Sequence, residues 1–168
     1  MSPSHQPFDE RHAVKCELAA EVLRSSGALR LRVTGWSMLP SIWPGDTLIL
    51  EHADRAGISE GDIVLFSRHR RLFAHRVLKI SAQDSGFLHT RGDSMSRPDM
   101  PVSDRDLLGR VVMIERNGKC IVPRKALNVP GRVVASLVQS SEFPARVIVR
   151  MHDVRVHDFG RNAPIQTS

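Results

Sequence analysis

The first regular pattern of apolar residues along the chain has the period of a helix. Apolar side chains recur at i, i+4 and i+8, with two more beside them: Val14, Leu18, Val22, Ala19 and Leu23. This spacing predicts an amphipathic helix over residues 9–25, with Gly27 as its C-cap. A single helix is not a helix-turn-helix, so a DNA-reading domain does not fit before residue 30.

From Leu29 onward the period changes to that of a β-strand. Leu29, Leu31 and Val33 alternate with polar residues. Further segments of β type follow at residues 47–51, 62–66, 72–80, 86–91 and 109–115. The pair Asn117-Gly118 predicts a two-residue hairpin turn. The middle of the chain is therefore predicted to be mainly β and antiparallel.

The last third of the chain combines a return of helical spacing with an excess of positive charge. Apolar positions at helical spacing recur over residues 126–157, and residues 116–168 hold nine Lys or Arg against three Asp or Glu. The expected organisation is an N-terminal helix in 1–28, a β domain in 29–122 and a basic, partly helical extension in 123–168. Such an extension either contacts an anionic surface, such as lipid headgroups, or is a solvated basic face.

Composition narrows the class of protein further. The 168 residues suit one domain, and 41% apolar with 25% charged residues is typical of globular chains. No apolar run is long enough for a membrane-spanning helix, and the polar N-terminus does not resemble a secretory signal. Cys16 and Cys120 fit a reduced cytosolic protein. The histidines are scattered without metal-ligating spacing, so neither a metal nor another cofactor is expected.

Candidate chemistry begins at Ser37, which follows the first predicted strand in a bend bounded by Gly35 and Pro40. A serine in a turn is common and by itself indicates little. Three further blocks follow it: Gly-Asp-Ile-Val-Leu-Phe at residues 61–66, Ala-His-Arg-Val at 74–77 and Thr-Arg-Gly-Asp-Ser at 90–94. Asp99 lies six residues beyond Asp93. A hydroxyl, an imidazole and a carboxylate are the groups that nucleophilic catalysis by serine uses.

The blocks S-M-x-P, G-D-x-V-x-F, H-R-V and T-x-G-D, in this order, resemble those of the signal peptidase I clan, which also contains the LexA/UmuD self-cleaving proteins. The resemblance covers residues 30–116, about half of the chain. It implies a mainly β fold of the signal peptidase/LexA type. His75 stands where the common bacterial enzymes carry a lysine, which resembles the archaeal and endoplasmic-reticulum branch that pairs its serine with histidine.

The resemblance implies a role for each of four residues: Ser37 as nucleophile, His75 as general base, Asp99 as the partner of the histidine and Asp93 as a second acidic residue of the site. The chemistry needs these types, because a neutral imidazole can take the serine proton and a carboxylate fixes the imidazole tautomer. Each aspartate can also be an ordinary loop or turn carboxylate. Lys79, four residues beyond His75 and roughly 13 Å away along a strand, lies outside the matching block.

The environment of the nucleophile is only partly predicted. The backbone N–H of Ser37 is expected to form part of an oxyanion hole, with a second donor that the sequence does not locate. Familiar bacterial signal peptidases carry a hydroxyl residue two positions before the serine, where this chain has Gly35. Trp36 and Met38 suit either an apolar wall for small substrate side chains or ordinary packing.

The resemblance and these residues together predict a serine endopeptidase, and the resemblance implies that it is of signal-peptidase type and cleaves after small residues in an extended peptide. A LexA/UmuD-like self-cleaving regulator is the first alternative, disfavoured because the chain has neither a helix-turn-helix nor a lysine in the base block. A non-catalytic binding module on the same fold is the second. The expected partners are a peptide or protein substrate and, at the basic end, an anionic membrane or a membrane-bound protein, with no nucleic acid. The expected location is the cytoplasm, including the periphery of its membrane.

Overall fold

The structure is a computed structural model that describes residues 7–81 and 86–127, first a helix and then a β sheet. The helix, α1, spans Pro7–Ser26. Seven strands follow within the described ranges: β1 (Ala28–Arg32), β2 (Thr47–His52), β3 (Ile63–Arg68), β4 (Arg71–Ile80), β5 (Leu88–Arg91), β6 (Leu107–Arg116) and β7 (Lys119–Ile121). All of their pairings are antiparallel, which confirms the predicted mainly β fold with an N-terminal helix. Most of the predicted C-terminal helical region, residues 128–157, lies outside the described residues, so the extension stays a prediction.

The end of α1 matches the predicted C-cap. Gly27 has a φ of +73°, a left-handed conformation that glycine adopts without steric penalty, and its N–H donates to the carbonyl oxygen of Leu23 at 3.0 Å. The cap allows the chain to turn directly into β1, which begins at Ala28.

The buried face of α1 differs from the predicted one. Val14 and Leu18 are each 61% exposed, so the prediction that they lie on the buried face of the helix is wrong. The buried positions lie on the adjacent face: Ala13, Cys16, Ala19 and Leu23. Three of these side chains are small, which lets the helix approach the sheet closely, while the fully buried Leu23 reaches the core. Within residues 7–81 and 86–127, no helix has both the length and the apolar composition that crossing a bilayer requires.

The strands form one sheet in the order β1-β2-β6-β3-β4-β5, with β7 paired to one end of β6. Asn117 and Gly118 join β6 to β7, and both have positive φ, 52° and 73°. Positive φ at both central residues is typical of a tight two-residue hairpin turn, whose twist matches that of the strands it joins. The predicted hairpin is therefore confirmed.

Two of the strand edges that the other described strands leave uncovered belong to β1 and β4. β1 is the terminal strand of the sheet, so only one of its edges pairs, with β2. β4 pairs with β3 from Arg71 to Arg76, but β5 pairs with β4 only from Arg76 to Ile80. The first half of β4 therefore has a neighbour on one side only.

The core lies on both faces of β3. Ile63 and Leu65 belong to an apolar cluster that includes Leu23 of α1, whereas Val64 and Phe66 belong to a second cluster on the opposite face. Successive side chains of a strand point to opposite faces, so β3 is held by packing from both directions. The neighbouring strand β4, which carries His75, is thereby fixed to a rigid support.

Candidate active site

Ser37 lies in a tight loop after β1 that is closed by backbone hydrogen bonds. The N–H of Leu39 donates to the carbonyl oxygen of Trp36 at 3.1 Å, and the N–H of Ile42 donates to that of Met38 at 3.0 Å. Met38 and Ile42 are buried in the core cluster beneath the loop. The loop is therefore anchored on the side that follows Ser37, which is itself half-buried.

The turn after β5 is hydrogen-bonded to this loop. The N–H of Ser94 donates to the carbonyl oxygen of Ser37, and its hydroxyl donates to that of Trp36, both at 3.0 Å. The contact requires a glycine: a Cβ added at Gly92 would lie 2.5 Å from the Ser37 carbonyl oxygen and 3.2 Å from His75 Nε2. Gly92 thus permits the close approach of the two segments that hold the candidate nucleophile.

His75 presents one ring nitrogen to the serine. Its side chain projects from β4, the residue is only 4% exposed, and Nε2 lies 2.9 Å from Ser37 Oγ. The rings of Phe66 and Phe73 each lie 5.8 Å from the imidazole, centroid to centroid. These two aromatic contacts restrict the orientation of the imidazole and keep it in an apolar surrounding.

Asp99 occupies the other side of the same imidazole. Its Oδ2 lies 2.7 Å from His75 Nδ1 and accepts a second hydrogen bond, also 2.7 Å, from the hydroxyl of Thr90. The N–H of Asp99 donates to the carbonyl oxygen of Thr90 at 2.8 Å, which ties the loop to the end of β5. Serine, imidazole and carboxylate are therefore linked in one line of hydrogen bonds.

Asp93 is placed differently from the other three predicted site residues. Its carboxylate accepts two hydrogen bonds from Arg76, from Nε at 2.8 Å and Nη2 at 2.7 Å, and a third from the hydroxyl of Ser41. The guanidinium also donates to the carbonyl oxygens of Gly61 (2.9 Å) and Arg124 (2.5 Å). Asp93 is thus part of a buried ion pair beneath the loop, and the imidazole is bonded to the other aspartate.

A groove with a cavity volume of about 540 Å³ reaches Ser37. Residues 31–35 line one side and residues 71–74 of β4 line the other. Because successive side chains of a strand alternate between faces, a groove that touches consecutive residues runs along the strand edges. These are the uncovered edges of β1 and β4. Most of the residues that line the groove are apolar: Leu31, Val33, Met38, Ile42, Leu48, Leu65, Leu72, Phe73 and Ala74.

A second nucleophilic residue, Cys16 of α1, also lines the groove. Burial, and to a smaller extent the carboxylate of Glu17, raises the pKa of the Cys16 thiol above its usual value. The thiol form, which this shift favours, is a poor nucleophile. In the part of the chain that the structure describes, no group of three or more His, Cys, Asp or Glu is placed to hold a metal ion.

Contacts from Ser37 to His75 and from His75 to Asp99, on an antiparallel β domain, have the arrangement of a serine hydrolase site. The family comparison agrees with this class. The model of the family described as Peptidase S24-like matches residues 4–112, so the chain belongs to that family, within the LexA/signal peptidase clan. No curated protein matches the chain.

Several residues that support the site were not predicted from the sequence. Thr90, Gly92 and Arg76 stand inside the recognised blocks, but their contacts depend on loops that meet only in the folded chain. The signal available for Gly92 was its place beside Asp93 at the end of a strand. The resemblance implied Asp99 as the partner of the histidine, but no local pattern in the sequence separates it from Asp93.

Proposed function

We propose that the protein is a serine endopeptidase in which Ser37 is the nucleophile, His75 the general base and Asp99 the carboxylate that orients the histidine. The observation that supports this most strongly is the line of contacts of 2.9 Å and 2.7 Å through the imidazole. Such distances are those that a base must have to take a proton from its nucleophile.

The proposed reaction begins when Ser37 Oγ attacks the carbonyl carbon of a peptide bond and its proton passes to His75 Nε2. The resulting oxyanion would be stabilised by the backbone N–H of Ser37. His75 then gives the proton to the leaving amine, which departs and leaves an ester on Ser37. A water molecule, deprotonated by the same imidazole, hydrolyses the ester. Asp99 holds Nδ1–H throughout and stabilises the imidazolium.

The uncovered edges of β1 and β4 favour a peptide substrate. An extended peptide in the groove could pair its backbone with residues 31–35 on one side and with the first half of β4 on the other. Main-chain pairing gives affinity for any extended segment, and the apolar lining near Met38 and Phe73 would then select by side-chain size. We propose cleavage after small residues, in the manner of signal peptidases.

Self-cleavage is the second candidate function, and membership of the Peptidase S24-like family favours it. The clan contains the LexA/UmuD proteins, which cut their own chains with the same type of fold. Incubation of the purified full-length chain distinguishes the two reactions. Intramolecular cleavage proceeds at a rate independent of protein concentration, whereas cleavage of other molecules depends on the concentrations of enzyme and substrate.

The proposed function is tested by digesting a proteome-derived peptide library with the full-length protein and reading the new termini by mass spectrometry. Ser37→Ala, His75→Ala and the double variant should all lose cleavage to a similar extent, because residues of one proton-transfer unit have non-additive effects. Ser25→Ala and His52→Ala, which change the same residue types at exposed positions, are the matched controls and should cleave normally.

Circular dichroism and thermal unfolding of each variant must show an unchanged fold. A library left uncut by the wild-type protein, or cut equally by folded Ser37→Ala, would refute the peptidase proposal. A double variant much slower than either single variant would refute the shared proton-transfer unit.

A further inference from the structure

The groove has a charge pattern that the proposed reaction does not use. Among the described residues that line it, three are cationic and none is an Asp or Glu: the cations are Lys15, Arg32 and Arg71. They come from three different elements, α1, β1 and β4, which converge on the groove. An anionic group lying between these elements would therefore meet positive charge from three sides.

The three cations are available to a ligand. All are exposed, and the ion pairs found among the described residues are formed by other side chains. By contrast, the charge of Arg76 is largely neutralised by the carboxylate that it already binds, so Arg76 attracts a second carboxylate only weakly. With no carboxylate in the described lining to offset them, the potentials of the three cations add within the groove.

We propose that the groove selects peptides carrying an Asp or Glu on one side of the scissile bond; this inference rests on the proposed peptidase function. The position follows from strand geometry. Arg71 is four residues from His75 on β4, roughly 13 Å at about 3.3 Å per residue. A substrate that pairs with this edge has nearly the same rise, so its carboxylate lies three to five residues from the bond that is cut.

Charge also decides against one candidate occupant of the groove. Residues 128–168 of this chain contain five Arg and three Asp or Glu, a net positive segment. A basic groove repels such a segment and attracts an acidic one. The occupant of the groove is therefore an acidic peptide from another molecule.

The test uses the peptide-library digest with the full-length protein. Around the bonds that are cut, Asp and Glu should be enriched about two- to fivefold at a position three to five residues away, as expected for exposed ion pairs. The double variant Arg32→Gln/Arg71→Gln should lose this enrichment. Arg70→Gln is the matched control, since it removes the same charge from the exposed neighbour of Arg71 that does not line the groove.

Salt gives an independent measurement that requires no variant. The enrichment should shrink when digestion is carried out at about 1 M salt, where the Debye length is about 3 Å. Cleavage with no acidic preference, or a preference that survives both the double substitution and high salt, would overturn this inference and leave the peptidase proposal standing. Absence of any cleavage would instead refute the peptidase proposal, and this inference with it.

Discussion

Replacing Gly92 by alanine should disable the site without unfolding the domain. The added Cβ would lie 2.5 Å from the Ser37 carbonyl oxygen, 2.7 Å from Met95 Cγ and 3.2 Å from His75 Nε2. The Met95 side chain can rotate away, but the Ser37 carbonyl belongs to the backbone. An ordinary contact needs about 3.4 Å or more, so the Ser37 backbone must move by roughly 1 Å.

A displacement of this size is large for a proton transfer. Misplacing a reacting group by about 1 Å can lower a rate about 100-fold, which corresponds to about 2.7 kcal/mol in activation free energy. The movement also weakens the hydrogen bond from the Ser94 N–H to the Ser37 carbonyl oxygen, now 3.0 Å. We therefore expect Gly92→Ala to lower kcat about 100-fold and to change KM much less.

The assay compares kcat and KM for a library-derived peptide between Gly92→Ala and Gly57→Ala. Gly57 is exposed and does not line the groove, and a Cβ there would make only an ordinary contact of 3.6 Å with Asp54 Oδ1, so this matched control should stay within about twofold of wild type. Thermal unfolding reports whether each variant folds. A folded Gly92→Ala protein with wild-type kcat would show that the close approach at Gly92 does not position the nucleophile.

Three further predictions concern the two aspartates, their surroundings and the helix. Asp99→Asn should lower kcat by about 10⁴-fold, far more than Asp93→Asn does. Asp93→Asn should instead cause the larger loss in the free energy of unfolding, about 3–5 kcal/mol, because it leaves the buried guanidinium of Arg76 unpaired. The opposite order in either assay would exchange the roles of the two aspartates. Thr90→Val removes the hydroxyl that donates to Asp99 and should lower kcat at least about tenfold with little change in unfolding temperature; unchanged kinetics would show that this bond does not hold the carboxylate. In urea unfolding, Leu23→Ala should lower the free energy of unfolding by about 2–5 kcal/mol and Leu18→Ala by less than about 0.5 kcal/mol. Equal losses would contradict the burial of Leu23 and the exposure of Leu18 on α1.

Local patterns were enough to predict most of the secondary structure of residues 7–81 and 86–127. The helix, the alternating strands and the Asn117-Gly118 hairpin depend on residues close together in the chain, and each is present in the structure. The buried face of α1 was only half predicted. Hydrophobicity favoured Val14 and Leu18, but close packing on the sheet favoured the small residues of the neighbouring face, and the spacing of apolar residues contains no information about such packing.

The candidate site depends on contacts between segments that are distant in the chain. The sequence predicted these contacts only through its resemblance to a known family. The order of blocks pointed to Ser37 and His75, whose side chains lie 2.9 Å apart although 38 positions separate them in the chain. The distinction between Asp99 and Asp93 depends on which carboxylate Arg76 binds, and that arginine carried no assigned role in the sequence. Local rules do not contain such information, because a folded loop decides the pairing.

The proposal that Ser37 is a nucleophile activated by His75 can be tested without knowing a substrate. The measurement is reaction of the purified full-length protein with a fluorophosphonate probe, followed by mass-spectrometric mapping of the modified residue. The geometry predicts an adduct on Ser37 that forms rapidly in the wild-type protein and is nearly lost in His75→Ala. A folded wild-type protein in which Ser37 remains unmodified, or equal labelling of Ser37 in His75→Ala, would contradict it.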